Sequence, residues 1–285
     1  MRASMDSPRI GFIGQGYIGK NYADNLEERG FQVVRYSLEE PHMQNKDKVK
    51  DCDIVFIAVP TPTTPQGFDG HLVEDVLPLV GKGKIAVIKS TVIPGFTQQI
   101  QKKFPDSIVL FSPEFLSVTT ARQDVDNPFS NVVGISVDDD AHKKAAEAVQ
   151  KILPPAPHSI ITSSENAEII KYMHNTYAYA KVVLVNMYYD LTQKMNGNWN
   201  DVQAVLTRAP FVGPHHLNPI DKTGRGAGGF CLLKDFAAFK EVYKQVLPDD
   251  TAGIEALDGI EKKNIKLLKE SGKDADLLKN VYGNV

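Results

Sequence analysis

The chain is poor in several things that would mark a specialised class. It has only two cysteines, Cys52 and Cys231, so a disulfide scaffold is excluded. Neither sign of charge is in clear excess: 32 Lys+Arg stand against 35 Asp+Glu, a formal net charge of -3. That argues against a surface built for a nucleic acid polymer, because such domains are usually clearly basic. No apolar run approaches the roughly 20 residues that a membrane helix needs. The first ten residues are polar and lack the apolar centre of a secretory signal, so the expected setting is the reducing cytoplasm. There are no internal repeats, no low-complexity tract and no set of residues spaced to ligate a metal. What is present is an ordinary globular composition, with 42% hydrophobic residues in a chain of 285, long enough for two domains.

The first half alternates short apolar runs with helical patterns. Runs at 9–13, 31–35, 53–59, 84–88, 107–111, 131–135 and 158–161 read as strands. The run at 53–59 is apolar on both faces, as a buried parallel strand should be. A helix is expected over 17–29, closed by Gly30. This alternation predicts an α/β fold, a doubly wound parallel sheet. Beyond residue 164 the pattern becomes helical. One long helix is expected over 165–194, then helices over 201–208, 232–247 and 251–270, with an ordered Gly/Pro-rich loop over 209–230. The expected division is therefore 1–164, nucleotide-binding, and 165–285, all-helical.

Gly14-Gln15-Gly16-Tyr17-Ile18-Gly19 is a G-x-G-x-x-G at a strand-to-helix turn, the context in which this pattern reads as a dinucleotide site. Its glycines let the backbone approach a pyrophosphate at the helix N-terminus, with Tyr17 and Ile18 between them. The second strand ends without the usual ribose-binding acid. Arg35 and Ser37 stand there instead, which leaves NAD and NADP both open. Three loops leave the carboxyl ends of strands, the edge where ligands bind in open α/β sheets. They carry Val59, Pro60 and Thr61; Ser90 and Thr91; and Glu114, Phe115 and Leu116. Glu114 suits a carboxylate working in a cleft. Glu168, Lys171 and Asn175 share the long helix; Lys171 and Asn175 lie one turn apart, while Glu168 and Lys171 read as a solvated ion pair. Gly228 and Gly229 allow close approach of the backbone to a ligand and deliver Cys231 at a helix start, where the macrodipole favours thiolate. Lys234 and Asp235 follow, with Asp235 one turn from Cys231, so both can face one pocket. Cys52 reads as a buried, inert thiol.

Taken together, these motifs resemble those of the UDP-glucose/GDP-mannose dehydrogenases. The likeness runs in order through Gly14–Gly19, Val59-Pro60-Thr61-Pro62, Ser90-Thr91-Val92-Ile93-Pro94-Gly95, Pro113-Glu114-Phe115-Leu116, Glu168-x-x-Lys171-x-x-x-Asn175 and Gly228-Gly229-Phe230-Cys231-x-x-Lys234-Asp235. The resemblance implies a Rossmann-like domain and a four-electron, NAD-dependent oxidation of a nucleotide-sugar alcohol to the uronic acid, UDP-glucose being the expected substrate. It makes Cys231 the nucleophile of a thioester, Lys171 and Asn175 oxyanion stabilisers, and Glu114 the general base. Thr91 and Asp235 become water or proton handlers. Lys234 joins the cofactor set; Phe115, Leu116, Gly228 and Gly229 join the substrate set. It also implies a homodimer through the long helix.

The sequence departs from that family in places. Val118 stands where a second glutamate is usual and Phe211 where an arginine is usual; the family's C-terminal nucleotide-sugar-binding domain is not expected within these 285 residues, which read as either a fragment or a naturally short form. A short form would need other phosphate contacts, for which His215, His216, Lys222 and Arg225 are candidates. Two further readings compete. One is a two-electron β-hydroxyacid-type dehydrogenase, which has no need of a covalent cysteine. The other is a catalytically silent NAD-binding or interaction subunit.

Overall fold

The computed structural model describes residues 7–221 and 224–284. In chain order the elements are β1 (Ile10–Ile13), α1 (Tyr17–Glu28), β2 (Val33–Tyr36), β3 (Ile54–Ile57), β4 (Thr63–Thr64), β5 (Gly67–Phe68), α2 (His71–Val76), β6 (Ile85–Ile88), α3 (Phe96–Lys103), β7 (Ile108–Phe111), α4 (Ala121–Asp126), β8 (Asn131–Ile135), α5 (Asp140–Ile152), β9 (Ser159–Ser163), α6 (Ser164–Lys194), α7 (Trp199–Leu206), β10 (Ile220–Asp221), β11 (Gly224–Arg225), α8 (Phe230–Val246), α9 (Thr251–Ser271) and α10 (Ala275–Tyr282).

The chain forms two compact units. The first comprises residues 1–61 and 69–171 and is built on a seven-stranded sheet of order β2-β1-β3-β6-β7-β8-β9. Its central strands are buried on both faces, so β1 and β3 read as unbroken apolar runs, IGFI and IVFI. Ile10, Phe12, Ile54, Phe56, Val87 and Leu110 form the centre of the core, and the Phe12 and Phe56 rings stack at 4.8 Å. The order reverses at β1, which has β2 on one side and β3 on the other. Gly14 N donates to Tyr36 O and Ala58 N to Ile13 O, so all three carboxyl ends meet at this switch point. The sheet is mainly parallel rather than wholly so: β8 runs antiparallel to β7, and β9 is parallel to β8. A strand buried on both faces gives the same apolar run in either direction, so the sequence carried no sign of this reversal.

The second unit comprises residues 62–68 and 172–285. The boundary falls inside α6, not at its start. Residues 62–68, which lie between strand β3 and helix α2 in the chain, belong to this unit as a hairpin packed on α8 and α10. The core of this unit gathers Tyr179, Val183, Leu233, Phe236 and Leu268, with Tyr179 stacked on Phe236 at 4.0 Å. Polar side chains set several helix starts. Ser163 Oγ accepts from Asn166 N at α6, Asp139 from His142 N at α5 and Asp250 from Gly253 N at α9. Among the described residues no helix is long and apolar enough to cross a membrane.

Candidate active site

The first unit contains the candidate cofactor cradle, the turn between β1 and α1. Each fingerprint glycine has its own reason to be glycine. Gly14 has φ of 89°, and a Cβ there would collide with the Ala58 carbonyl. A Cβ on Gly19 would meet the carbonyl oxygen of Gly14. A Cβ on Gly16 would meet nothing within 4 Å, so the space above this residue is open. Gly16 is also the N-cap of α1, with no side-chain cap and no acidic residue in the first turn. An uncapped helix start under an open glycine is what a dinucleotide pyrophosphate requires, and the residues fit NAD. Tyr17 is 38% exposed at this turn, while Ile18 packs on the core. Beside it, Thr61 Oγ1 donates to Thr91 O at 2.7 Å and Ser90 Oγ to Val59 O at 2.6 Å, fixing the Val59-Pro60-Thr61 loop to the Ser90-Thr91 loop.

At the end of β2, Arg35 is already engaged. Its guanidinium makes a two-pronged bond to Glu27 at 2.9 and 2.6 Å and meets Asp24 at 2.7 Å. Ser37 Oγ donates to the Glu39 carbonyl. A 2′-phosphate arriving here would face two carboxylates whose cation is taken.

The same unit buries a charged constellation at the carboxyl edge. Lys171 Nζ pairs with Glu114 Oε1 at 2.8 Å, with both side chains almost wholly buried. Leu116 N donates to Glu114 Oε2 at 2.7 Å. Burial alone would push the Glu114 carboxyl up; the Lys171 ammonium, its hydrogen bond, the Leu116 N–H and Lys89 outweigh it and hold the group below the ordinary carboxylate range. Phe115 presents its ring 5.6 Å from Lys171 Nζ and packs against Phe129. Lys89, which sequence reasoning did not single out, is 1% exposed and donates to Ser112 O, Ser112 Oγ and Pro113 O.

The expected solvated pair of Glu168 with Lys171 is corrected. Glu168 is fully buried and accepts from Gly95 N at 2.6 Å, Thr97 N at 2.9 Å and Thr97 Oγ1 at 2.6 Å. It thereby supplies the N-terminal cap that α3 lacks, since Gly95, the N-cap, has no side chain to offer. Burial pushes this carboxyl up to about 7, against the pull of those donors.

The second unit contains a separate polar cluster. Asn175 Nδ2 donates to Asp235 Oδ2 at 2.6 Å, and Lys234 Nζ to Asp235 Oδ1 at 2.5 Å. All three are buried, Asp235 completely. Cys231, the second residue of α8, is exposed. Asp235 is buried while Cys231, one turn earlier on α8, reaches the surface, and the Lys234 ammonium is held by Asp235. The glycines before them also have internal reasons. A Cβ on Gly228 would strike the Asp274 carboxylate, and Gly229 N donates to Asp274 Oδ2 at 2.7 Å with φ of 81°. Gly226 and Ala227 lie against Asn264. The cluster of glycines seats this segment on α9 and its C-terminal turn.

Of the other candidates, Arg225 is committed to Asp190, Asn186 and the face of Tyr189. His215 and His216 are both exposed, and desolvation together with Lys181, His215 and His174 pulls the His216 imidazole below its ordinary value. Lys222 lies outside the described residues. Phe211 and Val118 are both largely exposed. Cys52 is buried, and burial pushes its thiol up to about 11.

Two family models match the chain. The NAD binding domain of the UDP-glucose/GDP-mannose dehydrogenase family matches residues 40–153, and the family's central domain matches residues 165–260. A putative UDP-glucose 6-dehydrogenase of Bacillus subtilis is 28% identical over 207 residues, covering 68% of this chain and 47% of that protein. The chain spans about half the length of such curated relatives. Among solved structures, a UDP-glucose dehydrogenase from Pyrobaculum islandicum superposes with a TM-score of 0.77 at 22% identity, covering 94% of this chain and 70% of that one. A 3-hydroxyisobutyrate dehydrogenase from Mycobacterium tuberculosis superposes with a TM-score of 0.69 at 16% identity, covering 93% of this chain and 94% of that one. At these identities the two structures speak for the fold.

Proposed function

Since the chain belongs to the UDP-glucose/GDP-mannose dehydrogenase family, we propose that it is an NAD-dependent nucleotide-sugar 6-dehydrogenase, with UDP-glucose as first candidate substrate. NAD, when bound, accepts one hydride in each of two oxidations, so that a primary alcohol and water become a carboxylate with two NADH and three protons released. The open Gly16 and the uncapped start of α1 hold the pyrophosphate. The engagement of Arg35 by Glu27 and Asp24 favours NAD over NADP.

Glu114, ionised at neutral pH, takes the alcohol proton as general base. Lys171 supplies the cation for an alkoxide, and Asn175, oriented by Asp235, supplies an amide donor. Cys231 adds through Sγ to the aldehyde carbon. The thiohemiacetal so formed becomes a thioester on loss of the second hydride, and water releases the acid. Thr91, on a loop fixed through its own carbonyl, positions that water. Phe115 and Leu116 flank the sugar.

The observation that carries this reading is the exposed thiol of Cys231 in the first turn of a helix that starts at a glycine and has no side-chain cap. A thiol so placed is open to attack on an aldehyde carbon, and a two-electron dehydrogenase has no use for such a group. A second reading, a β-hydroxyacid-type dehydrogenase, draws on the near-complete overlap with the 3-hydroxyisobutyrate enzyme's length. A screen of UDP- and GDP-sugars and of 3-hydroxy acids with NAD, read by NADH absorbance and product mass, separates the two. Uronic acid from a sugar nucleotide supports the proposal; turnover of hydroxy acids alone replaces it. NAD binding with no turnover on either class favours a silent subunit.

We further propose a homodimer through α6, in a reducing, cytoplasmic setting. Met173, Tyr177, Leu184, Tyr188 and Leu191 on α6, with Met195 just beyond it, are all more than half exposed and recur at spacings of three, four or seven residues, which places them along one side of the helix.

A further inference from the structure

Buried lysines need a reason, since an ammonium taken out of water must be compensated or give up its proton. Lys89 follows the last residue of β6 and is 1% exposed. Its Nζ reaches Ser112 O at 3.1 Å, Ser112 Oγ at 3.3 Å and Pro113 O at 3.4 Å, all on the segment that leads into Glu114. Its other side is the ring of Tyr22, 4.0 Å away at the centroid. Tyr22 belongs to α1, the helix whose start forms the cofactor cradle. One side chain therefore touches both the pyrophosphate helix and the loop that presents the candidate base.

We propose that Lys89 is a positioning residue: it clamps the Ser112–Pro113 carbonyls to α1 and so sets the orientation and basicity of Glu114 toward Lys171. The catalytic role of Glu114 rests on the dehydrogenase reading above; the clamp itself does not. The charged and titratable groups around Lys89 are Glu114, Lys171 and the Tyr22 phenol, with Asp124 acting on Tyr22. Burial, with Lys171 adding to it, pulls the Lys89 amine down to about 7, while Glu114 pulls the other way. Lys89 thus changes charge near neutrality. As it loses its proton, Glu114 loses one of the cations that hold it ionised and becomes a stronger base.

The test is the titration of the Glu114 carboxyl carbon in protein labelled with 13C-glutamate, its signal assigned by absence in Glu114→Gln. Lys89→Met removes the clamp at similar volume. Ser112→Ala removes one acceptor, leaves Lys89 in place, and remains available where Lys89→Met does not fold. The expected result is a rise in Glu114 proton affinity of about tenfold in Lys89→Met and a smaller rise in Ser112→Ala. The acid limb of the kcat/KM profile should move the same way. A Glu114 midpoint that stays at the wild-type value in either folded variant overturns the proposal. The carbon signal needs no turnover, so a wild-type chain that oxidises no sugar nucleotide counts against the dehydrogenase reading and leaves the Lys89 result intact.

Discussion

Glu168 and Lys171 stand one turn apart on α6, and the fold gives them different partners. Lys171 neutralises Glu114, while Glu168 caps α3. Opposite charges at this spacing usually meet in solvent, and nothing in the sequence says that both are buried. Lys89 was illegible for the same reason: a lone lysine after an apolar strand carries no mark of burial. The engagement of Arg35 was equally illegible, because its partners, Asp24 and Glu27, lie on the preceding helix. Glu168 yields a pH prediction with a definite sign. Its carboxyl is raised from 4.5 to about 7 in the folded chain, so between those values the folded state binds the extra proton. Stability from this group is therefore greatest below the unfolded value and declines as pH rises through the folded one, at most about 1.4 kcal/mol per pH unit. Glu168→Gln cannot titrate and should flatten that decline in urea unfolding between pH 4.5 and 7; an unchanged slope contradicts the assignment.

Among the elements, the long helices were readable because their periodicity is strong and their ends are marked. α6, α8 and α9 lie within a residue or two of their expected ends. The hairpin at 62–68 was not readable: Pro62-Thr63-Thr64-Pro65 looks like a loop, and its place against α8 and α10 is a tertiary matter. The start of α1 gives a pair of opposed outcomes. Gly16→Ala adds a methyl in open space at a φ of -71°, so it should leave the melting temperature near wild type while weakening NAD binding by about tenfold or more. Gly19→Ala should lower the melting temperature, because its Cβ meets the Gly14 carbonyl. Equal NAD affinity in Gly16→Ala and wild type, by calorimetry, would remove the pyrophosphate from this turn. The stripe on α6 gives another prediction. Leu184→Glu with Leu191→Glu should convert a dimer to a monomer by light scattering with little loss of stability, since both positions are exposed within the chain. A monomeric wild type sinks the dimer.

For the whole molecule, the sequence showed a doubly wound α/β body followed by helices, and family motifs in order. It did not show that the chemistry-bearing residues sort into two clusters, one within each compact unit. Glu114, Lys171 and Lys89 lie in the first, and Asn175, Lys234 and Asp235 in the second. Motifs are read along the chain, whereas the unit boundary cuts through α6 between Lys171 and Tyr172. The proposed reaction is two oxidations of one carbon, with the second passing through Cys231. The most direct measurement is the number of NADH formed per sugar nucleotide consumed, with the product identified by mass, in wild type and Cys231→Ser. Two NADH per uronic acid in wild type, with no acid from Cys231→Ser at unchanged NAD affinity, is the predicted result. One NADH per substrate, or full acid production by Cys231→Ser, contradicts it.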